Sequence, residues 1–108
     1  MLKINNFQNF TGSKLGDFSN LKELHCRYCS NLEDKFLIRT LRCAPKLEFI
    51  DVRFCYKITS AVVNFAVEET KKRQNNIVLE MCIGGTDIRY GDITDISPLL
   101  ILNNSWFQ

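Results

Sequence analysis

One spacing of apolar residues occurs twice in the chain at a constant distance. Five leucine, isoleucine, valine or cysteine positions in the second occurrence follow their counterparts in the first by 26 residues. They are Leu21, Leu24, Cys26, Cys29 and Leu32, matched by Leu47, Ile50, Val52, Cys55 and Ile58. A repeat of this length predicts stacked units, each with one strand and one return segment, whose neighbours share a core.

The pattern continues in a weaker form on both sides, within a chain of 108 residues that suffices for one domain. Four upstream positions precede the first repeat by 22 residues: Leu2, Ile4, Phe7 and Phe10. Downstream, Leu79 aligns with Ile50, and Met81 with Val52, after three extra residues. We therefore expect one domain over 1–108. It comprises a partial repeat at 1–20, full repeats at 21–46 and 47–75, and a degenerate repeat with a C-terminal cap at 76–108.

Local patterns predict the strands and helices of these units. The expected strands cover 23–28, 49–54 and 77–83, and the expected helices cover 35–43 and 60–74. Asp34 is expected to cap the first helix, because its carboxylate can accept from the free N–H groups of the first turn. Pro45 is expected to end that helix, since proline lacks the N–H donor that a helix interior requires.

The last part of the chain departs from the repeat. Gly84 and Gly85 are expected to lie in a loop, because no lysine or helix start follows them as in a phosphate-binding loop. Ser97 and Pro98 are typical of a helix start, so a short apolar helix is expected over 99–102. With Trp106 and Phe107, that helix is expected to close the end of the core.

The turns and joints of the two full repeats resemble the cysteine-containing subtype of leucine-rich repeats. The matching segments are Cys29-Ser30-Asn31-Leu32-Glu33-Asp34, Cys55-Tyr56-Lys57-Ile58-Thr59-Ser60 and Cys43-Ala44-Pro45-Lys46-Leu47. This subtype is similar to the repeats of F-box proteins, which recruit substrates to Skp–cullin ubiquitin ligases. The resemblance implies an α/β solenoid, in which short parallel strands alternate with helices to form a small or partial horseshoe.

The resemblance also implies a function in protein–protein recognition, as part of substrate selection for ubiquitin ligation. The strand residues that alternate with the buried ones are expected to form a concave face, a surface that solenoids use for binding. The predicted partner-binding residues are Glu23, His25, Arg27, Tyr28, Phe49, Asp51, Arg53, Phe54 and Glu80. A solvated sheet face without a partner is the alternative interpretation of the same residues.

Rows across this face suggest the chemistry of the partner. His25, Asp51 and Glu80 are expected in one row, and Arg27, Arg53 and Cys82 in the next. Neighbouring arginines repel each other, so an acidic or phosphorylated protein segment is expected to bind there. His25, Asp51 and Arg53 are therefore expected to be exposed. The alternative function is a small assembly subunit that docks through its open N-terminal edge strand.

The five cysteines suggest zinc or redox chemistry, but strand geometry argues against both. His25 must point to the opposite face from Cys26, whose counterpart is Val52. We expect buried structural thiols. A Cys29–Cys55 disulfide between adjacent repeats is the alternative. No catalytic, cofactor-binding or metal-binding residue is predicted, so the protein is not expected to be an enzyme.

Composition restricts the remaining partners and the compartment. The formal net charge is +2 and no basic block dominates, so no nucleic-acid partner is expected. The longest apolar run, 99–102, is too short to span a bilayer. An odd number of cysteines without a recognisable secretory leader predicts a cytoplasmic or nuclear protein with reduced thiols.

Overall fold

Short parallel strands, each beside the next one in the chain, form the frame of the protein. The computed structural model describes residues 1–3 and 18–105, which contain a five-stranded parallel sheet and two α-helices. In chain order the elements are β1 (Leu2–Lys3), β2 (Glu23–His25), α1 (Asp34–Cys43), β3 (Phe49–Asp51), α2 (Ser60–Lys71), β4 (Leu79–Cys82) and β5 (Leu100–Asn103). The strands lie in the order β1-β2-β3-β4-β5. The predicted α/β class is confirmed. The repeat positions Ile4, Phe7 and Phe10 and the cap residues Trp106 and Phe107 lie outside the described residues.

Strand pairing confirms the two repeat distances that the sequence predicted in the first half of the chain. Leu24 of β2 lies opposite Ile50 of β3, which is the 26-residue spacing. Leu2 of β1 lies opposite Leu24, which is the 22-residue spacing. Each side chain of this row points toward the helices, where it joins the core.

The predicted register of β4 is wrong by two residues. Met81, not Leu79, lies opposite Ile50, and Cys82 lies opposite Asp51. Leu79, Met81 and Ile83 are all buried, so a shift by two residues keeps every side chain on its own face. For this reason the alternation of apolar residues does not distinguish the two registers.

The predicted helix over 99–102 is instead strand β5. Leu100 pairs with Leu79, and Leu102 pairs with Met81. A run of four residues is too short to stabilise a helix by its own hydrogen bonds, whereas the edge of β4 offers backbone partners along its length. Ile101 is exposed between the half-buried Leu100 and Leu102, which is the alternation of a strand.

The core lies between the sheet and the two helices. Leu24, Cys26, Ile50 and Val52 are completely buried, as predicted. Helix α1 contributes three buried apolar residues, and α2 contributes four. These residues are Phe36, Leu37 and Leu41 from α1, and Val62, Val63, Ala66 and Val67 from α2. Neither helix in the described part of the chain has the length and apolarity needed to cross a membrane.

Asp34 does not act as the predicted cap of α1. It is the first helical residue, and Glu33 precedes it without a side-chain cap. The Asp34 carboxylate instead accepts hydrogen bonds from the backbone N–H and the hydroxyl of Thr59, at the turn before α2. This carboxylate therefore ties the start of one helix to the start of the next.

The chain leaves three successive strands through a residue in the left-handed backbone region. Tyr28, Phe54 and Gly85 have φ angles of 64°, 63° and 73°. Only at Gly85 does a neighbouring side chain add a steric requirement, because a Cβ atom there would lie 2.6 Å from Cδ1 of Phe54. Gly85 is therefore the position at which both the backbone and the space demand glycine.

Candidate functional site

The face of the sheet away from the helices carries the residues that the sequence predicted for binding. Because strand side chains alternate, the residues flanking the buried row point to this side. We call this surface the polar sheet face. It comprises Lys3, Glu23, His25, Phe49, Asp51, Glu80, Cys82, Ile101 and Asn103, together with Arg27 and Arg53 just beyond the strands.

The corrected register of β4 changes the rows of the polar sheet face. One row contains Glu23, Phe49, Glu80 and Ile101. The next row contains Lys3, His25, Asp51, Cys82 and Asn103. Glu80 thus lies beside Phe49 rather than Asp51, and Cys82 lies beside Asp51 rather than Arg53. The predicted rows are wrong at β4 for the same reason as the predicted register.

Two arginines share one carboxylate at the end of this face where β2 and β3 leave the sheet. Arg53 donates from Nε to Oδ1 of Asp51 at 2.9 Å and from Nη2 to Oδ2 at 2.7 Å. Arg27 donates to Oδ2 of Asp51 from Nη2 at 2.9 Å and from Nε at 3.2 Å. The two guanidinium groups are therefore bridged by opposite charge.

The prediction that Asp51 and Arg53 are exposed is wrong. Asp51 is 1% exposed and Arg53 is 2% exposed. Their fork-shaped pairing satisfies both charges internally, which makes burial possible without water. The side chain of Arg27 remains 36% exposed, so it is the member of this ion-pair triad that meets solvent.

The triad keeps its charges at neutral pH. Burial raises the pKa of Asp51, but the hydrogen bonds from Arg53 and Arg27 outweigh it and hold that pKa below its usual value. The hydrogen bond to Asp51, opposed by burial, raises the pKa of Arg53. One negative and two positive charges leave this end of the face with a net charge of +1.

An aromatic stack borders the triad. The rings of Tyr28 and Phe54 are nearly parallel, at 8°, with their centroids 4.7 Å apart. The Phe54 ring lies over Gly85, which also has a positive φ angle. The two predicted aromatic residues are thus brought together, and the stack supports two non-glycine residues in a backbone region that costs energy.

The opposite end of the polar sheet face is acidic and aromatic. Phe49 is half-buried between Glu23 and Glu80, its direct neighbours on the two adjacent strands. The ring of His25 contacts that of Phe49 with a centroid distance of 5.1 Å. This end contrasts with the triad because its carboxylates are only half-buried.

Exposed apolar residues on or beside this face are Tyr28, Val78 and Ile101, which are 44%, 40% and 53% exposed. Tyr28 is a predicted binding residue, whereas the sequence did not predict Ile101 on this face. Ile101 was missed because the run around it was interpreted as a helix. The signal that identifies it is the alternation of Leu100, Ile101 and Leu102 beside the similar alternation of β4.

The cysteines are free thiols, of which Cys26, Cys29, Cys55 and Cys82 are buried and Cys43 is exposed. Burial raises the pKa of Cys26 and that of Cys82. A hydrogen bond with Cys29, together with burial, raises the pKa of Cys55, whose Sγ also donates to the carbonyl oxygen of Cys26 at 2.8 Å. Because the thiolate is the nucleophile and the metal ligand, these positions are unsuited to either role. In residues 1–3 and 18–105, no three His, Cys, Asp or Glu side chains are grouped as a metal site would require.

Two pockets lie on the helix side of the sheet. One has a volume of about 410 Å³ and is bordered by α2, β5 and the segment 90–97. The other, of about 330 Å³, lies near the C-terminal ends of α1 and α2. Neither contains a residue of the polar sheet face, so they are separate from the candidate site.

Comparisons of the chain with family models, with curated proteins and with solved structures found no match. The candidate site therefore rests on its own geometry. Its two ends differ in character: the triad is held together by internal ion pairs and keeps one positive charge in excess, whereas the row around Phe49 presents half-buried carboxylates and apolar side chains to solvent.

Proposed function

We propose that this protein is a recognition module of the leucine-rich-repeat type, and that its polar sheet face binds a protein partner. The solenoid part of this proposal is supported by repeated local geometry. Turn hydrogen bonds run from Cys29 N–H to the Cys26 carbonyl, from Cys55 N–H to Val52, and from Thr86 N–H to Ile83. The three left-handed residues precede these donors by one position each.

The observation that carries the binding proposal is the combination of chemistry and order on the polar sheet face. The exposed apolar side chains of Tyr28, Val78 and Ile101 border charged residues that are fixed by hydrogen bonds. Protein interfaces favour aromatic and arginine anchors in such settings. A surface that is already ordered also loses little conformational entropy when a partner binds.

The ion pairs of Asp51 limit how an acidic or phosphorylated group of the partner can contact the two arginines. Asp51 already occupies the guanidinium groups of Arg27 and Arg53, so an incoming carboxylate would compete with an internal one. Of the two arginines, Arg27 is the one with substantial exposure. An acidic group on the partner is therefore proposed to contact Arg27 at the edge of the interface rather than both arginines at its centre.

Substrate selection for Skp–cullin ubiquitin ligation is the particular role that we propose on the basis of the repeat resemblance. The alternative is an assembly subunit that docks through β1. Within the described residues this strand covers Leu2–Lys3, which offer few backbone groups for pairing with another chain. The broader polar sheet face is the better-supported docking surface.

The test compares two exposed isoleucines on opposite sides of the sheet. Ile101→Glu places a charge on the polar sheet face, and Ile96→Glu places the same charge on the helix side, where Ile96 is 82% exposed. Partners captured from cells by each variant are identified by mass spectrometry, and folding is checked by circular dichroism. We expect Ile101→Glu to lose partners that the wild-type chain and Ile96→Glu retain.

Two results of this experiment would count against the proposal. Retention of every partner by Ile101→Glu would exclude the polar sheet face and favour docking through β1. Captured partners without Skp or cullin subunits would exclude the ubiquitin-ligase role while leaving recognition by this face intact.

A further inference from the structure

The acidic end of the polar sheet face has the composition of a receptor for a cation. Phe49 lies between Glu23 on β2 and Glu80 on β4, with each pair directly opposite in the register. Adjacent strands are about 4.8 Å apart, so the two glutamate backbones flank the ring at a total separation of about 10 Å. Phe49 thus has an acidic residue as its direct neighbour on each adjacent strand.

Both carboxylates are held in position by neighbours in the next row. Nε2 of His25 lies 3.0 Å from Oε1 of Glu23, and Nδ2 of Asn103 donates to Oε2 of Glu80 at 3.2 Å. No lysine or arginine from residues 1–3 or 18–105 pairs with either glutamate. The carboxylates are therefore ordered without being paired with a lysine or arginine of this part of the chain.

The apolar surroundings favour a side chain with an aliphatic stem. Ile101 continues the row on the far side of Glu80, and Val78 lies two residues before Glu80 in the chain. Both are exposed, so a ligand above this row would contact hydrocarbon as well as charge. A lysine or arginine side chain has this composition, because its methylene groups pack on apolar surface while its charge remains accessible.

We propose that Glu23, Phe49 and Glu80 bind a lysine or arginine side chain of the partner segment. The inference deepens the proposed function and rests on it. The cation lies over the Phe49 ring, where the quadrupole of the ring attracts it. The two carboxylates accept charge-assisted hydrogen bonds from either side. The polar sheet face thus recognises a basic residue at this end, at a distance from the positively charged triad.

The probe for this proposal is a pentapeptide, acetyl-Gly-Gly-Lys-Gly-Gly-amide, titrated into the isotope-labelled protein and followed by NMR. Matching peptides carry arginine, norleucine or glutamate at the centre. We expect saturable shifts at Glu23, Phe49 and Glu80 with the lysine and arginine peptides, weakening as salt is added. Norleucine retains the aliphatic stem without the charge, so its peptide should bind at least severalfold more weakly. Absence of saturable shifts with lysine, or equal binding of norleucine, would overturn the proposal.

Protein variants separate the site from the general effect of charge. Glu23→Gln with Glu80→Gln removes two carboxylates from the site, and Glu33→Gln with Glu68→Gln removes two exposed carboxylates near the helices. The first pair should weaken the lysine peptide about fivefold to tenfold, while the control pair should change its affinity less than twofold. Equal losses in both pairs would reduce the effect to net charge and contradict the inference. Phe49→Leu should also remove the preference for lysine over norleucine, because leucine has no ring quadrupole.

The outcome of this experiment is distinguishable from failure of the proposed function. If Ile101→Glu abolishes partner capture while the lysine peptide shows no preference, the face binds a partner by other chemistry and only the inference fails. If the lysine peptide binds as expected but Ile101→Glu retains every partner, the cation site exists and the face is not the docking surface of those partners.

Discussion

The contact between α1 and α2 differs in its chemistry from the contact between α2 and the segment 89–97. Between α1 and α2 the contact is made largely by apolar side chains of the shared core. Between β4 and β5 the chain runs through a segment of described residues in which the only helical part is a 3-10 turn at Tyr90–Asp92. That segment is attached to α2 mainly through polar side chains.

Four polar residues of α2 make this attachment. The Ser60 hydroxyl donates to the carbonyl of Arg89 and accepts from its N–H. Asn64 donates to the carbonyl of Asp92 and accepts from the N–H of Thr94. The other two contacts are between Thr70 and the hydroxyl of Ser97, and between Lys71 and the carboxylate of Asp95.

The difference shows what a non-helical return segment requires of the helix beside it. A helix satisfies most of its own backbone groups and can present an apolar surface to a neighbour. An irregular segment has N–H and carbonyl groups that need external partners. Helix α2 therefore carries an apolar stripe toward the core and polar side chains toward the segment 89–97.

The largest expected effect comes from breaking the triad in the middle of the sheet. Asp51→Asn removes the charge that neutralises Arg53, which is buried, and should destabilise the fold by about 3–5 kcal/mol. The control is Asp95→Asn, which breaks the exposed ion pair with Lys71 and should cost far less, because solvent screens an exposed pair. Urea unfolding measures both. Similar losses of stability for the two variants would contradict the contrast between the buried triad and the exposed ion pair of the segment 89–97.

Acid should remove the contribution of the same carboxylate. The pKa of Asp51 is lower in the folded protein than in the unfolded chain, so its stabilisation is present above the unfolded pKa of about 4. It is lost as the pH falls through the lower, folded pKa. The difference in unfolding free energy between wild type and Asp51→Asn should therefore shrink in acid. A difference that stays constant down to about pH 2 would place no depressed pKa at Asp51.

A smaller loss of stability is expected at Gly85, in the turn after β4. Gly85→Ala forces a Cβ atom against the Phe54 ring and into a left-handed backbone, and should cost about 1–3 kcal/mol. Gly91→Ala is the matched control, because a Cβ atom there meets nothing within 4 Å. Thermal unfolding should leave that variant nearly unchanged. If Phe54→Ala relieves part of the cost of Gly85→Ala, the steric cause is established, and full additivity would exclude it.

The smallest loss of stability should come from weakening the polar attachment of the segment 89–97 to α2. Asn64→Ala removes two hydrogen bonds to the segment 92–94 and should cost about 1 kcal/mol. Hydrogen exchange should accelerate in 89–97 while the amides of β2 and β3 remain protected. Asn104→Ala, at an exposed position after β5, serves as the control. Equal acceleration of hydrogen exchange in β2 and β3 would mean that the segment 89–97 does not open separately from the rest of the fold.

The sequence predicted the pairing of β2 with β3 because one repeat distance recurs at five positions. Leu24 and Ile50 occupy matching positions in units that contain helices of similar length, so one offset defines the register. After α2 the repeat distance is two residues longer than predicted, and the alternation around Met81 cannot detect a shift by two. Gly85 carries the missing information, since it corresponds to Tyr28 and Phe54 at the left-handed turns.

The sequence predicted which residues belong to the candidate site better than it predicted how they are arranged. The period of two places Asp51 and Arg53 on the correct face. It does not indicate that one carboxylate joins two arginines, because that depends on side-chain geometry beyond the strand ends. The position of Phe49 between two glutamates depends on the register of β4, which the sequence did not resolve.

Site-specific photo-crosslinking tests most directly the central claim, that the polar sheet face binds a protein partner. A photoreactive amino acid replaces Ile101 in one variant and Ile96 in another, and both proteins are expressed in cells. We predict a discrete crosslinked protein from position 101, absent from position 96 and reduced by Glu23→Gln with Glu80→Gln. A crosslink from position 96 alone, or from neither position, would contradict the account of this face. A crosslink from position 101 that those glutamines leave unchanged would contradict only the proposed site for a lysine or arginine side chain.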